Sequence, residues 1–351
     1  MKPIRSHVLE ARMLWALATL LAGPASADTA PTTASQSDRL AIRRTVSEIA
    51  AGFRSAYIDP GKGDRTATAL EQALAAKAYD DLVDRDEFIR RLTADLRSLT
   101  NDEHIFLVRN LRPPGQAVSP RPNDAGFERV ERLEGNIGYI RLIRFAPPEI
   151  FRDVANNAMR LVADTNALIF DIRGNRGGHP RSIAYLSSFL LDPSRSIHLA
   201  DAVWRNKGTL NFRTEEFWTS RTPDHYLDKP VYILVGPETF SAAEGFAYHL
   251  QALRRATIIG AKTKGGAHAT EPDAVVAIEP DLFLVAPNGR TENPVTKSNW
   301  DGVGVRPDVE VAPETALVAA MKLALARQSD STSEGAGVAA PQQTAGAPDH
   351  R

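Results

Sequence analysis

The chain has no cysteine in 351 residues. That excludes structural disulfides, thiol catalysis and a lipid-modified N-terminal cysteine. A long hydrophobic run is also missing. The apolar stretch Met13 to Gly23 (MLWALATLLAG) falls short of the roughly 20 residues that a membrane-spanning helix needs. Nor does one sign of charge dominate: 42 Lys and Arg face 43 Asp and Glu, a formal net charge of -1. This leaves no electrostatic argument for nucleic acid or an anionic membrane as partner. No internal repeat is visible. What remains is an ordinary soluble composition, long enough for two domains and a substantial core.

The N-terminus predicts an address. Lys2, Arg5 and Arg12 precede the apolar stretch, and Ala25-Ser26-Ala27 follows it with small residues at the two outer positions. This is the pattern of a cleaved signal peptide over residues 1–27. The mature protein is then expected in the periplasm or outside the cell, with no stable membrane insertion. Residues 28–37 are small and polar and read as a linker. From Arg39, apolar residues recur at helical spacing, first through Val46, Ile49, Phe53 and Tyr57. Asp59-Pro60-Gly61 reads as a break before a second helix over Thr66–Tyr79, and Phe88, Leu92, Leu96 and Leu99 mark a third. These make a helical domain over 38–109. Four prolines within 110–125 suit an interdomain linker.

Beyond that linker, β-rich runs alternate with helical ones over 126–327. Strands are expected at Ile137–Ile143, Ala167–Asp171, Val231–Val235, Ala256–Gly260, Ala274–Ile278 and Leu282–Ala286. Helices are expected at Pro148–Ala163, Pro180–Leu191 and Ala242–Arg254. The alternation implies an α/β core. Residues 328–351 are rich in Ser, Gly, Ala, Pro and Gln and read as disordered.

Three loops carry the chemistry. Asp171-Ile172-Arg173-Gly174-Asn175-Arg176-Gly177-Gly178 follows a strand; it reads either as a tight turn or as a loop that aims backbone N–H groups at an anion. It lacks the Lys-Ser/Thr ending of a phosphate loop. Thr239-Phe240-Ser241-Ala242-Ala243-Glu244 joins a strand to a helix. Ser241 and Glu244 have capping-box spacing, yet a serine there also exposes its hydroxyl beside the helix N-terminus. The third loop, Gly260 to His268, holds Lys262, Lys264 and His268. His104 closes the helical domain, and Asn299-Trp300-Asp301-Gly302 precedes Val303-Gly304-Val305.

In order, these motifs (DxRGNxGG, TFSAAE, GxxTxGG and GVGVxPD) resemble the S41 peptidases. The likeness is to the branch that includes the tricorn-core proteases and the interphotoreceptor retinoid-binding protein repeats, and it runs from about Ala41 to Val311. It implies a crotonase- and ClpP-like core of β-β-α units behind an N-terminal helical bundle. It also implies Ser241 as nucleophile, Gly177 or Gly178 with Ala242 as oxyanion hole, His104 as general base and Asp301 as the acid that orients it. The carboxyl-terminal processing branch instead uses a lysine base two positions beyond Lys264, where this chain has Gly266. Lys262, Lys264 and His268 stay as alternative bases or substrate contacts. That branch also inserts a PDZ domain, for which the segment 110–125 has no room, since a domain needs at least ~50 residues.

The resemblance implies hydrolysis of peptides or unfolded protein through an acyl-enzyme, with no metal or organic cofactor. A non-catalytic carrier of apolar small molecules on the same fold is the alternative.

Overall fold

The computed structural model describes residues 34–111 and 125–336. The signal peptide, most of the 28–37 and 110–125 linkers, and the tail from 337 lie outside the described residues.

Helices α1 (Gln36–Ala56), α2 (Pro60–Ala75) and α3 (Arg85–Thr100) open the fold. The break expected at Asp59-Pro60-Gly61 falls at residues 57–59, and the second helix starts at Pro60, earlier than Thr66. The Asp59 side chain accepts the Lys62 amide at 2.8 Å, and Pro60 sits at the first helical position, where its missing N–H costs nothing. Asp84 caps α3 in the same way. The helices bury Val46, Ile49, Phe53, Leu70, Phe88 and Leu92 in one cluster, but they do not close it alone. Strand β1 (Phe106–Arg109) pairs with a hairpin from far along the chain, and Ile278, Leu282 and Leu284 of that hairpin complete the cluster. The N-terminal unit is thus sealed by residues that the sequence assigned to the core.

The larger unit runs through β2 (Phe127–Leu133), β3 (Ile137–Leu142), α4 (Pro148–Val162), β4 (Ala167–Asp171), α5 (Pro180–Ser188), β5 (His198–Arg205) and β6 (Phe212–Trp218). It continues through β7 (Val231–Val235), α6 (Ala242–Ala252), β8 (Thr257–Gly260), β9 (His268–Ala269), the hairpin β10 (Val276–Glu279) and β11 (Leu282–Val285), β12 (Gly289–Glu292), β13 (Val309–Glu310) and α7 (Ala316–Ala336). The main sheet has the order β13-β8-β7-β4-β3-β2, and only β2 runs antiparallel to its neighbour.

Both faces of this sheet are covered, which explains the unbroken apolar runs. On β4, Leu168 and Phe170 join α4, α5 and α6 in one cluster, while Ala167 and Ile169 face α7. Each such side chain contributes about 1.5–3 kcal/mol by leaving water. Ala316, Ala320 and Ala324 line the buried stripe of α7, and their size lets the helix lie close to the strands. That helix extends through Gln328–Ala336, the start of the segment read as disordered. A second sheet, β6-β5-β12-β9, carries His268 on its edge strand.

Candidate active site

The three loops expected to carry chemistry meet at the C-terminal ends of β4, β7 and β8, three adjacent parallel strands. Hydrogen bonds knot them together. The Asn175 carbonyl accepts the Phe240 amide at 3.0 Å, and the Thr239 carbonyl accepts the Lys264 amide at 3.2 Å. The Thr239 hydroxyl donates to the Ile172 carbonyl at 3.0 Å.

Glu244 is the centre of this knot. It is fully buried, and its carboxylate accepts from the amides of Ser241, Gly265 and Gly266 and from the Thr263 hydroxyl. Burial pushes its carboxyl above the usual range, against the pull of those four donors. The capping-box spacing therefore has a larger role than capping: one carboxylate ties the serine turn to the loop that follows β8.

Ser241 stands on a sharp turn with φ 56° and ψ -124°. An L-residue adopts that conformation only at a cost, about 1–3 kcal/mol in such regions. A strained serine on the turn from a central strand into a helix is the geometry of a nucleophile elbow. Beside it, the Gly177 amide is spoken for, donating to Asn175 Oδ1 at 2.8 Å. Gly178 is exposed at φ 140° and its amide, like that of Ala242, has no acceptor among the described residues. Of the three expected oxyanion donors, Gly178 and Ala242 are the free pair. A side chain at Gly178 is impossible, since its Cβ would lie 1.9 Å from the Phe145 carbonyl oxygen.

The histidines come from elsewhere. His104, just past α3, stacks its ring on Phe240, the residue before Ser241, with centroids 4.4 Å apart. Its Nδ1 lies 3.2 Å from Asp102 Oδ1, and its own backbone amide donates to the same oxygen at 2.9 Å. A carboxylate there fixes the proton on Nδ1 and leaves the Nε2 lone pair open. His104 Nε2 is buried and has no hydrogen-bond partner among the described residues, Ser241 Oγ included.

Asp102 was not singled out from sequence, yet it is the hub of this half. Its other oxygen takes His268 Nδ1 at 2.7 Å and the Tyr57 hydroxyl at 3.0 Å. Burial raises its carboxyl, but the hydrogen bonds from His104 and His268 outweigh burial and hold it well below the usual carboxylate range. The signal for it was an Asp two residues before a His, the spacing at which a carboxylate reaches forward to an amide.

Asp301 does not reach His104. Its carboxylate receives the Ala267 amide at 3.2 Å and lies 3.5 Å from His268 Nε2. His268 thus sits between two carboxylates, hydrogen-bonded to Asp102 through Nδ1 and with Nε2 facing Asp301. Lys264 is exposed, 3.6 Å from Glu103 and over the Phe240 ring, and Lys262 is exposed further out. Among the described residues, no group of three or more His, Asp or Glu side chains is arranged to hold a metal ion.

Gly266 shows why a histidine occupies this place. A Cβ there would lie 2.2 Å from the Phe240 ring and 2.7 Å from His104 Cε1. A side chain at 266 and the His104 ring would compete for one volume.

Comparison with known proteins agrees with this architecture. The carboxy-terminal-processing protease of Bartonella bacilliformis is 30% identical over 196 residues, covering 51% of this chain and 40% of that protein. The carboxyl-terminal-processing protease of Synechocystis is 30% identical over 132 residues, covering 37% of this chain and 28% of that one. The chain therefore spans less than half the length of these two relatives. A photosystem II D1 C-terminal processing protease shares the fold at a TM-score of 0.50 and 16% identity, over 80% of this chain and 95% of that one. The Peptidase family S41 model matches residues 136–311, half of the sequence and all three strand-end loops, and the chain belongs to that family.

Proposed function

We propose that this chain is a serine peptidase of the tricorn-like kind, with Ser241 as nucleophile, His104 as general base and Asp102 as the acid that orients the base. The single observation that carries the reading is the open nitrogen of His104. It is the one histidine of the cluster whose ring is pinned through Nδ1, bears on Phe240 next to Ser241, and keeps Nε2 unpaired. His268 instead turns its Nε2 toward a second carboxylate, Asp301, at 3.5 Å.

The reaction follows from these positions. A serine hydroxyl is a weak nucleophile unless a base takes its proton as it attacks. His104 Nε2 accepts that proton while Asp102 stabilises the imidazolium. The amides of Gly178 and Ala242 donate to the oxyanion, each worth about 3–4 kcal/mol by analogy with deleted oxyanion donors. His104 then protonates the leaving amine, and water admitted to the acyl-enzyme reverses the sequence. Asp301 and His268 act one step back, supporting Asp102. Neither lysine is needed, and Gly266 removes the position from which a lysine base would act.

Beside Ser241 and Ala242 lies a cavity of about 80 Å³ lined by Ile183, Leu199, Trp204, Phe217 and Trp300. It suits one substrate side chain; a carrier site for an apolar small molecule would need about 300 Å³ or more. The substrate is a peptide or unfolded protein. Export by the N-terminal signal belongs to the same reading, and among the described residues no helix is long and apolar enough to cross a membrane.

A serine-directed fluorophosphonate tests the proposal. Mass spectrometry should find the label on Ser241, and Ser241→Ala should abolish it with the circular dichroism spectrum unchanged. Equal labelling of both proteins removes Ser241 from the mechanism.

A further inference from the structure

We propose that the cavity beside Ser241 selects an uncharged substrate side chain that ends in a hydrogen-bond acceptor, a side-chain amide (Asn or Gln) above all. The proposal rests on the serine-peptidase reading, because it takes the cavity as the pocket for the residue whose carbonyl is attacked.

The pocket's walls are mostly apolar, yet among the described residues three polar atoms on its lining side chains have no partner. Ser187 Oγ and Trp204 Nε1 are buried and make no hydrogen bond. The third is His249 on α6, only 4% exposed, which also lines the cavity. Its tautomer can be derived. Asn293 Oδ1 accepts the amides of Val295 at 2.9 Å and Thr296 at 3.0 Å, so the Asn293 group facing His249 is the NH₂. That NH₂ lies 2.9 Å from His249 Nδ1 and must donate to it. Nδ1 is therefore the acceptor, and the ring's proton is on Nε2. Burial lowers the pKa of His249 to about 3, so the ring is neutral. Among the described residues His249 Nε2 has no acceptor.

Two N–H donors and a hydroxyl on the lining side chains thus lack partners among the described residues. Buried groups of this kind cost free energy unless something pairs with them. A side-chain amide satisfies all three roles: its carbonyl accepts from the N–H groups, and its NH₂ can donate to Ser187 Oγ. Charged side chains are excluded in turn. No Asp, Glu, Lys or Arg lines the cavity among the described residues, so a charge entering it would lose its water without gaining a counter-ion.

The test is a set of peptides that differ only at the residue before the scissile bond: Asn against its isostere Leu, Gln against Met, with Glu and Lys as charged members. Wild type should cleave after Asn with a kcat/KM about ten- to a hundredfold above Leu, the factor expected when one or two buried donors are paired or left unpaired. Glu and Lys should be the poorest. His249→Phe and Ser187→Ala, the second a mild change, should each shrink the Asn-to-Leu ratio. Leu equal to or better than Asn in wild type, or a ratio unmoved in both variants, overturns the pocket assignment and leaves the peptidase reading intact. Calorimetry on the Ser241→Ala protein separates the two ideas from the other side. Tighter binding of the Asn peptide than the Leu peptide, with no turnover by wild type, keeps the pocket and removes the peptidase reading. Equal or absent binding together with no turnover removes both.

Discussion

The two halves of the site are built in opposite ways. The serine half is one local knot: three loops at the ends of neighbouring strands, cross-tied by Glu244 and by backbone hydrogen bonds. The histidine half is assembled from distant pieces. Tyr57 comes from the end of α1, Asp102 and His104 from the segment after α3, His268 from β9 and Asp301 from the segment after β12. The first half positions a strained hydroxyl with rigid backbone; the second pins two imidazole rings on one shared carboxylate. The lesson is that a strained serine turn can be encoded in a few consecutive residues, whereas a histidine and the carboxylate that pins it need long-range packing.

The largest effect that can break this comparison is at His104. His104→Ala should lower turnover by about 10⁴–10⁶, as removal of a triad member does, while His268→Ala keeps a larger fraction. If His268→Ala were the more damaging variant, the open nitrogen would be the wrong criterion and the histidine roles would be exchanged.

Next comes the choice of acid. Asp102→Asn should cost about 10²–10⁴ in kcat, because an amide can hold His104 in the wrong tautomer. Asp301→Asn, which touches only His268 and an amide, should cost far less. A stability measurement gives an independent reading. Asp102 has a depressed folded-state pKa, so its contribution is present above the unfolded value of about 3.9 and is lost as pH falls toward the lower folded value. Asp102→Asn should flatten that acid limb in thermal unfolding. An unchanged acid limb would mean that Asp102 is not the charged hub.

The same contrast explains what could be read in advance. The strands Ala167–Asp171 and Val231–Val235 and the helix starting at Ala242 are legible because a doubly covered sheet demands continuous apolar runs. Ser241 is legible because a capping box and an elbow share one local pattern. Asp301 was expected to orient His104 from its position in a motif, but which carboxylate meets which ring is decided by where β9 and the segment after α3 pack. Strands β5, β6 and β12 were not anticipated, since none of them alternates cleanly between buried and exposed residues. The helical domain looked separate because chain continuity hides a hairpin that returns from Val276–Val285 to seal it.

A smaller effect is expected at Gly266. It has no strained backbone to relieve, so Gly266→Ala acts by bulk alone, pushing a methyl group into Phe240 and His104. A ring displaced by about an ångström should cost around 10² in turnover with a native circular dichroism spectrum. Unimpaired activity would show that His104 need not occupy its observed place against Phe240.

The smallest effect concerns the strain on the serine side, and it separates fold from function most cleanly. Ser241 holds φ 56° and ψ -124°, a region in which glycine has no Cβ to clash. Ser241→Ala keeps the Cβ and hence the strain; Ser241→Gly releases it. Both variants should be inactive, yet the glycine variant should be the more stable. The relief of about 1–3 kcal/mol is partly offset by the ~0.5–1 kcal/mol entropy cost of ordering a glycine, leaving a gain of about 1 kcal/mol. For a chain of this length that gain corresponds to a rise of about 2 °C in Tm relative to Ser241→Ala. A glycine variant that melts at or below the alanine one would show that the turn stores no strain. The serine half would then be rigid through Glu244 and its donors alone, and the conformational cost attached to the nucleophile would have to be withdrawn.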